Sequence, residues 1–304
     1  MCELRKLWVI GSRPPPVGGV TVFIKYFSEA VEIAGLTSRV DFGSFSFSRV
    51  LEGGYHCVHV NVSSSLKRLA LLLFFKMLRK KVFFVKHGGC FNLNDPFVWG
   101  ALRLADGVFC LNTAVRAQLR GMNVNGVLHS TVFKENAIKL RGGYPITAES
   151  KDGILFYINN SKCIDGEEIY GGSFFIRAME EIKYNGRITV IDLSGEYREE
   201  FKVLPNICYS SEPADFCKLL SEHEIYVRCT ATDGMSVALL EAGLLGVKCL
   251  ASDVVPRPDF VRTYKYGDLN SFIVALNEVV EINPQSMSLT LTSVHDVVDH
   301  MMQD

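Results

Sequence analysis

Short apolar runs of about five residues alternate along the chain with longer segments whose apolar residues recur at helical spacing. Runs of this length are typical of strands buried on both faces of a parallel sheet. A helix over about Thr21–Ala34 separates the first two runs, and further helices follow. Strands are predicted in the first half at Leu7–Gly11, Ser38–Phe42, His56–Val60, Val82–Lys86, Gly107–Leu111 and Val127–Val132.

The same alternation returns in the second half. Strands are predicted there at Ile154–Ile158, Arg187–Leu193, Ile207–Tyr209, Ile225–Arg228 and Val247–Ala251. Lys134–Lys151 is polar and is broken by glycine and proline, so it is predicted to be a linker. We expect an α/β fold of two Rossmann-like parallel-sheet domains, at residues 1–140 and 153–283, facing across a cleft. A return to the first domain is one interpretation of the weakly patterned tail, 284–304.

Two carboxylates bracket the most apolar predicted helix, Met235–Leu245. Asp233 precedes this helix, and Glu241 is the only charge within it. An ionised group among apolar neighbours costs several kcal/mol unless something hydrogen-bonds to it. N–H groups at the start of the helix, from Gly234, Met235 and Ser236, suit a phosphate. Carboxylate, anion site and second carboxylate match the layout of a nucleotide-diphospho-sugar, although Asp233 could equally be a simple N-cap.

Two further candidates lie in the first half. Gly18 and Gly19 stand between the first strand and its helix, where glycines let backbone approach a ligand. The pattern is not GxGxxG, which disfavours a dinucleotide cofactor and hence a nicotinamide oxidoreductase. His87 follows a predicted strand and precedes two glycines, at the sheet edge where α/β proteins bind ligands. A tight turn and a structural histidine are the simpler alternatives.

Composition narrows the classes of function. The 304 residues allow two domains of about 150 each. A net charge of −1 gives no reason to expect nucleic-acid binding. The nine cysteines show no metal-ligand spacing, which favours reduced thiols in the cytoplasm. No apolar run reaches the length of a membrane span. The helix after Ser63–Ser65 is apolar in its middle and basic at both ends, so it is either a buried layer helix or a contact with anionic lipid at the inner membrane surface.

The segment from Asp233 to Val261 resembles the C-terminal donor-binding motif of retaining GT-B glycosyltransferases, of the family 4-like type found in bacterial polysaccharide and lipopolysaccharide synthesis. The likeness consists of two acids separated by seven residues and the following GVKCLASDV, Gly246–Val254. The run Pro15–Val20 and the His-Gly element at His87 also resemble that family. Asp233 departs from it mildly, since the first acid is more often Glu.

The resemblance implies roles for these residues. Asp233 would hold hydroxyls of the transferred sugar, Glu241 the ribose, and His87 would contact the reacting sugar. The diphosphate would be neutralised by helix N–H groups and cations, without a divalent metal or other cofactor. The family's Arg/Lys pair is replaced here by Asn159 or Asn160 and by Lys162. Arg228 or Arg257 is a candidate for the missing charge.

The sequence therefore predicts a glycosyltransferase that takes a nucleotide-sugar donor and a glycan or lipid-linked acceptor. Two alternatives stay open. A sugar-nucleotide epimerase would use the same acids but need no acceptor. The altered Arg/Lys pair also suits a non-catalytic homologue that serves as a binding or scaffold subunit.

Overall fold

Six parallel strands form the sheet of the first unit of the chain, in the order β2-β1-β3-β4-β5-β6. The computed structural model describes residues 6–14, 19–52, 54–144, 151–164, 166–281 and 289–303. The chain divides into two units, 1–137 with 291–304 and 138–290. The first unit contains β1 (Lys6–Ile10), α1 (Gly19–Ile33), β2 (Val40–Gly43), α2 (Phe47–Glu52), β3 (Tyr55–Val60), α3 (Ser65–Met77), β4 (Lys81–Lys86), α4 (Pro96–Leu104), β5 (Gly107–Cys110), α5 (Thr113–Gly121), β6 (Gly126–Leu128) and α12 (Val294–Met302); α6 (Lys134–Gly143) spans the division.

The second unit repeats the architecture with a sheet in the order β11-β10-β7-β12-β13-β14, again all parallel. A two-stranded antiparallel hairpin, β8-β9, lies outside it. The elements are β7 (Ile154–Ile158), β8 (Cys163–Ile164), β9 (Glu167–Glu168), α7 (Gly172–Glu181), β10 (Ile188–Asp192), α8 (Arg198–Phe201), β11 (Ile207–Ser210), α9 (Phe216–Glu222), β12 (Ile225–Arg228), α10 (Val237–Leu244), β13 (Lys248–Ser252), β14 (Val261–Tyr264) and α11 (Leu269–Val280).

The predicted fold class, an α/β protein with two Rossmann-like parallel sheets, is confirmed. The burial of the strands explains why their sequences are continuously apolar. In the second unit, Phe156 of β7 stacks on Phe175 of α7 with ring centroids 4.1 Å apart. Because helices cover both faces of each sheet, both sets of alternating side chains must be apolar.

The linker prediction is wrong for its first ten residues, which form α6. Tertiary contacts hold the start of this helix although its sequence lacks an apolar stripe. Asn136 is buried, accepts the Phe133 N–H at 3.0 Å and donates to the Tyr26 carbonyl at 3.1 Å. Residues 145–150 lie outside the described residues. The strand predicted at Val127–Val132 is also too long, since β6 ends at Leu128.

Strand order in the second unit creates a switch point at β7, which lies between β10 and β12. Connections leave β7 and β12 in opposite directions across the sheet, so a crevice opens between the carboxyl ends of these two strands. Ligands of doubly wound sheets bind at such points. The loops after β7 and β12 are therefore the part of this unit in which to look for a site.

The close packing of α10 within the second unit can be tested at Gly243, which lies in this helix. A Cβ at that position would lie 2.6 Å from the Phe260 ring. Replacing a helix glycine with alanine normally stabilises by about 1 kcal/mol. We expect Gly243→Ala instead to lower the free energy of unfolding, measured by denaturant titration. Gly142→Ala in α6 is the control, since its Cβ meets nothing within 4 Å. A stabilised Gly243→Ala would contradict the close packing.

Candidate functional site

Helix α10 begins two residues later than the sequence predicts. Ser236 is its N-cap, and the Ser236 hydroxyl accepts the Leu239 N–H at 3.3 Å. Asp233 is therefore not the cap. By helix geometry, the N–H groups of Ser236, Val237 and Ala238 have no carbonyl partner within the helix. Gly234 and Met235 lie in the preceding loop, so the N–H groups suited to an anion lie about two residues further along the chain than the sequence predicts.

Glu241 is buried inside this helix, with 7% of its surface exposed. Its neighbours on α10, Leu239, Leu240 and Leu244, are buried as well, as the sequence predicts. The charge of Glu241 reaches the phenol of Tyr144, whose pKa is raised to about 12 by a hydrogen bond to Asp215, by burial and, in smaller part, by this carboxylate. The acid thus lies in a largely apolar environment, close enough to the Tyr144 phenol for its charge to act on it.

The loop between β12 and α10 holds a buried ion cluster of three side chains. Arg228 donates from Nε to Asp233 Oδ2 at 2.7 Å and from Nη2 to Oδ1 at 3.0 Å. Arg257 Nη1 donates to the same Oδ2 at 2.7 Å. The exposed fraction of the side chain is 12% for Arg228, 9% for Asp233 and 2% for Arg257. Two cations and one anion are thus held away from solvent, with one net positive charge.

Asp233 has no acceptor capacity left in this arrangement. The Gly234 N–H donates to Oδ1 at 2.9 Å, so each carboxylate oxygen accepts two hydrogen bonds. A carboxylate offers about four acceptor positions. Burial by itself raises the pKa of Asp233, but Arg228 and Arg257 outweigh it and hold the pKa at about 2. A sugar hydroxyl can bind this ionised carboxylate only by displacing one of the four donors.

Arg257 ties the loops after β12 and β13 together. It donates from Nε to the Ser252 carbonyl at 3.0 Å and from Nη2 to Thr230 Oγ1 at 3.4 Å. The Ser252 hydroxyl donates to the Thr230 carbonyl at 2.6 Å. On the other side, the Arg228 guanidinium lies 5.7 Å from the centre of the Tyr170 ring. Both arginines are therefore fixed by contacts beyond Asp233.

The other predicted donor residues do not join this cluster. Lys162 lies in the loop after β7 with an exposed side chain, and its ammonium makes no hydrogen bond or ion pair with any described residue. Asn159 accepts a hydrogen bond from the Tyr157 hydroxyl at 3.3 Å. In the first unit, Gly19 is the first residue of α1 and has open space around it. Gly18 lies outside the described residues.

His87 follows β4 at the carboxyl edge of the first sheet. Its Nε2 lies 3.1 Å from Asn61 Oδ1, and its ring meets Phe23 edge-on at 5.0 Å between centroids. Because the Asn61 amide nitrogen faces the His59 carbonyl at 3.5 Å, we assign Asn61 Oδ1 as the acceptor and the His87 proton to Nε2. Burial, and then the charges of His129, Arg68 and Lys86, lower the pKa of His87 to about 3. His87 is therefore neutral at physiological pH, with a lone pair on Nδ1.

Two further histidines, His59 and His129, lie near His87 and were not anticipated from the sequence. Both are buried, and both rings pack against Phe109, with centroids 5.3 and 5.1 Å away. The Nε2 atom of each has no hydrogen-bond partner among the described residues. The sequence did carry a signal for His59: two polar residues, His59 and Asn61, alternate with Val60 at the end of an apolar strand.

No group of His, Cys, Asp or Glu within the described residues is arranged to hold a metal ion. None of the described helices is long and apolar enough to cross a membrane. The groups that the described residues offer to a ligand are therefore buried arginines, helix N–H groups, an acid inside an apolar helix and a neutral histidine.

Asp233→Asn should destabilise the protein by about 3–5 kcal/mol, because it leaves two buried guanidinium groups without a counter-charge. Since its pKa in the folded protein is depressed, Asp233 contributes stability above its unfolded pKa of about 3.9 and loses that contribution as pH falls towards 2. Denaturant titration from pH 7 to pH 2.5 measures both effects. Glu199→Gln, which breaks the exposed pair with Lys202, is the control and should change little.

Nitrogen-15 NMR should show His87 neutral and protonated on Nε2 throughout pH 5–8. Asn61→Ala removes the acceptor and should yield a mixture of tautomers. Asn61→Asp should raise the pKa of His87, since an opposite charge nearby favours the imidazolium. His223 is an internal control, because its Nδ1 lies 2.6 Å from the Leu219 carbonyl and its Nε2 2.7 Å from the Thr189 hydroxyl. An unchanged His87 signal in Asn61→Ala would refute the assignment.

Comparisons with known proteins address the fold. No family model matches the sequence, and no curated protein matches it. Solved structures do match. That of Anabaena HepE in complex with UDP-glucose superposes with a TM-score of 0.65 at 12% identity, over 98% of each chain.

Two other matches carry the same architecture. The lipopolysaccharide outer core galactosyltransferase WaaB gives a TM-score of 0.60 at 15% identity, over 97% of this chain and 94% of that one. The UDP-GlcNAc 2-epimerase of Methanocaldococcus jannaschii gives 0.62 at 13% identity, over 98% and 99%. Identities this low establish the fold alone. The chain has the GT-B fold, as its resemblance to that group of glycosyltransferases predicted.

Proposed function

We propose that the protein is a retaining, metal-independent glycosyltransferase. It moves a sugar from a nucleotide-diphospho-sugar to a glycan or lipid-linked acceptor in bacterial surface polysaccharide synthesis. The observation that carries the proposal is the buried Arg228–Asp233–Arg257 cluster, whose net positive charge lies just before the start of α10. Retention follows from the sequence resemblance only, and the pathway from that resemblance together with the likeness to WaaB.

The cluster suits a leaving diphosphate. Both arginines pair with Asp233, and Arg228, the more exposed of the two, is the one that would contact the donor. Fixed cations and helix N–H groups stabilise charge that develops on the diphosphate as the glycosidic bond breaks. Asp233 then acts as a positioning residue for the two guanidinium groups. A contact between Asp233 and the transferred sugar requires one of its present donors to leave.

Glu241 binds the ribose in this proposal. A buried carboxylate gains most from hydroxyl donors, and the two ribose hydroxyls supply them. His87, at the carboxyl edge of the first sheet, has an Nδ1 lone pair that can accept a hydrogen bond from a sugar hydroxyl. At a pKa of about 3 it cannot serve as a general acid near neutral pH.

An epimerase is the second candidate, because the M. jannaschii 2-epimerase shares the fold. Incubation with each nucleotide-sugar alone separates the two. An epimerase releases the epimerised nucleotide-sugar without an acceptor, whereas a transferase needs one. A third outcome, donor binding without transfer across a broad acceptor panel, identifies a non-catalytic homologue.

Glu241→Gln tests the proposed donor site. The variant keeps the size of the side chain but loses its charge, so binding of UDP and UDP-sugars should weaken about ten- to hundredfold, as expected for a hydrogen bond to a charged group. Calorimetry measures the affinity, and thermal unfolding without ligand shows whether the variant is folded. Glu180→Gln, at an exposed position on α7, should bind like the parent. Equal affinities for parent and Glu241→Gln would refute the assignment of Glu241.

A further inference from the structure

The outward face of α3 is apolar, which is the reverse of an ordinary surface helix. Leu66, Ala70, Leu73 and Met77 are exposed, and at 100° per residue they form one narrow stripe along the helix. Met77 is 82% exposed. The opposite face, with Arg68, Leu72 and Phe75, is buried against the sheet. Core packing therefore does not account for the stripe.

Helix α2 extends this apolar surface. Phe47 is 67% exposed and Leu51 is 87% exposed. The Phe47 ring meets the ring of Phe74, on the flank of α3, at 5.9 Å between centroids. Contiguous exposed apolar patches on a protein surface mark interaction sites more often than chance. We call the outward residues of α2 and α3 the α2–α3 face.

The same part of the chain is strongly basic. Between residues 44 and 94 the sequence has eight Lys and Arg and one Glu, although the whole chain carries −1. Lys67 and Arg79 are exposed at the two ends of α3, and Lys80 is partly exposed beside Arg79. Lys76, in contrast, pairs with Asp106 at 2.7 Å. An apolar stripe with cations at both ends is the pattern of a helix that lies in a membrane interface.

We infer that the α2–α3 face docks on an anionic lipid bilayer. The apolar side chains enter the boundary between headgroups and acyl chains, and Lys67, Arg79 and Lys80 contact lipid phosphates. The charge argues against a second copy of the chain, since two such faces repel each other. The apolar stripe argues against a purely electrostatic partner such as nucleic acid. This inference about lipid docking does not depend on the proposed glycosyltransferase activity.

Flotation with lipid vesicles tests the inference on the full chain. Binding to vesicles of phosphatidylcholine with phosphatidylglycerol should be strong at low salt and should weaken as salt screens the charges. Vesicles of phosphatidylcholine alone should bind little. Trp99, on the neighbouring helix α4, is partly exposed, whereas Trp8 is fully buried, so a blue shift of tryptophan emission would report docking near α4.

Two double variants dissect the face. Leu73→Gln with Met77→Gln should abolish flotation without loss of thermal stability, because both positions are exposed. Lys67→Gln with Lys80→Gln should weaken partition about fivefold for each cation removed. Val274→Gln, which replaces an exposed apolar residue on α11 of the second unit, is the matched control. Two results would overturn the inference. One is flotation of the Leu73/Met77 variant equal to that of the parent. The other is a parent protein that does not bind vesicles and is a dimer, while the Leu73/Met77 variant is a monomer.

Discussion

Asp233 accepts four hydrogen bonds inside the second unit, three of them from two arginines, and this cluster organises the polar edge of that unit. Burying three charges is costly, and removing one partner is costlier than removing all, because it leaves an uncompensated charge. The cluster therefore fixes the loops that supply it. Arg228 ends β12 and Arg257 follows β13, so the two loops adopt one relative arrangement.

That arrangement explains how a short polar break can follow β12, whose residues before Arg228 are apolar and buried. Parallel strands end at a common edge, and the loops after them must satisfy backbone groups without a neighbouring strand. Between β12 and β13, the Ser252 hydroxyl donates to the Thr230 carbonyl. At the start of α10, the Ser236 hydroxyl accepts the Leu239 N–H. Glu241 lies further along the same helix and is buried. Burial of this kind disfavours an ionised group unless polar groups contact it.

In the first unit, the two faces of the sheet carry different kinds of side chain. Alternation along β3 places Val58 and Val60 towards the core that includes α3, and His59 towards α1. Desolvation and neighbouring positive charge keep His87 neutral, which suits a hydrogen-bond acceptor and excludes a titrating switch near neutral pH. The outer side of α3, beyond the core, carries the apolar stripe, so one helix both covers the sheet and presents a surface for contact.

The sequence by itself determined every strand of the two sheets except β14, and it determined the buried helix α10 and its acid, because periodicity and composition are local properties of the chain. It indicated His87 and Asp233 as candidates but not their partners. The pairing of Asp233 with Arg228 and Arg257, the hydrogen bond from His87 to Asn61, and the α-helical state of residues 134–143 were decided by tertiary structure. Each joins groups whose proximity depends on the order of strands or on contacts between distant elements, and no local pattern encodes that order.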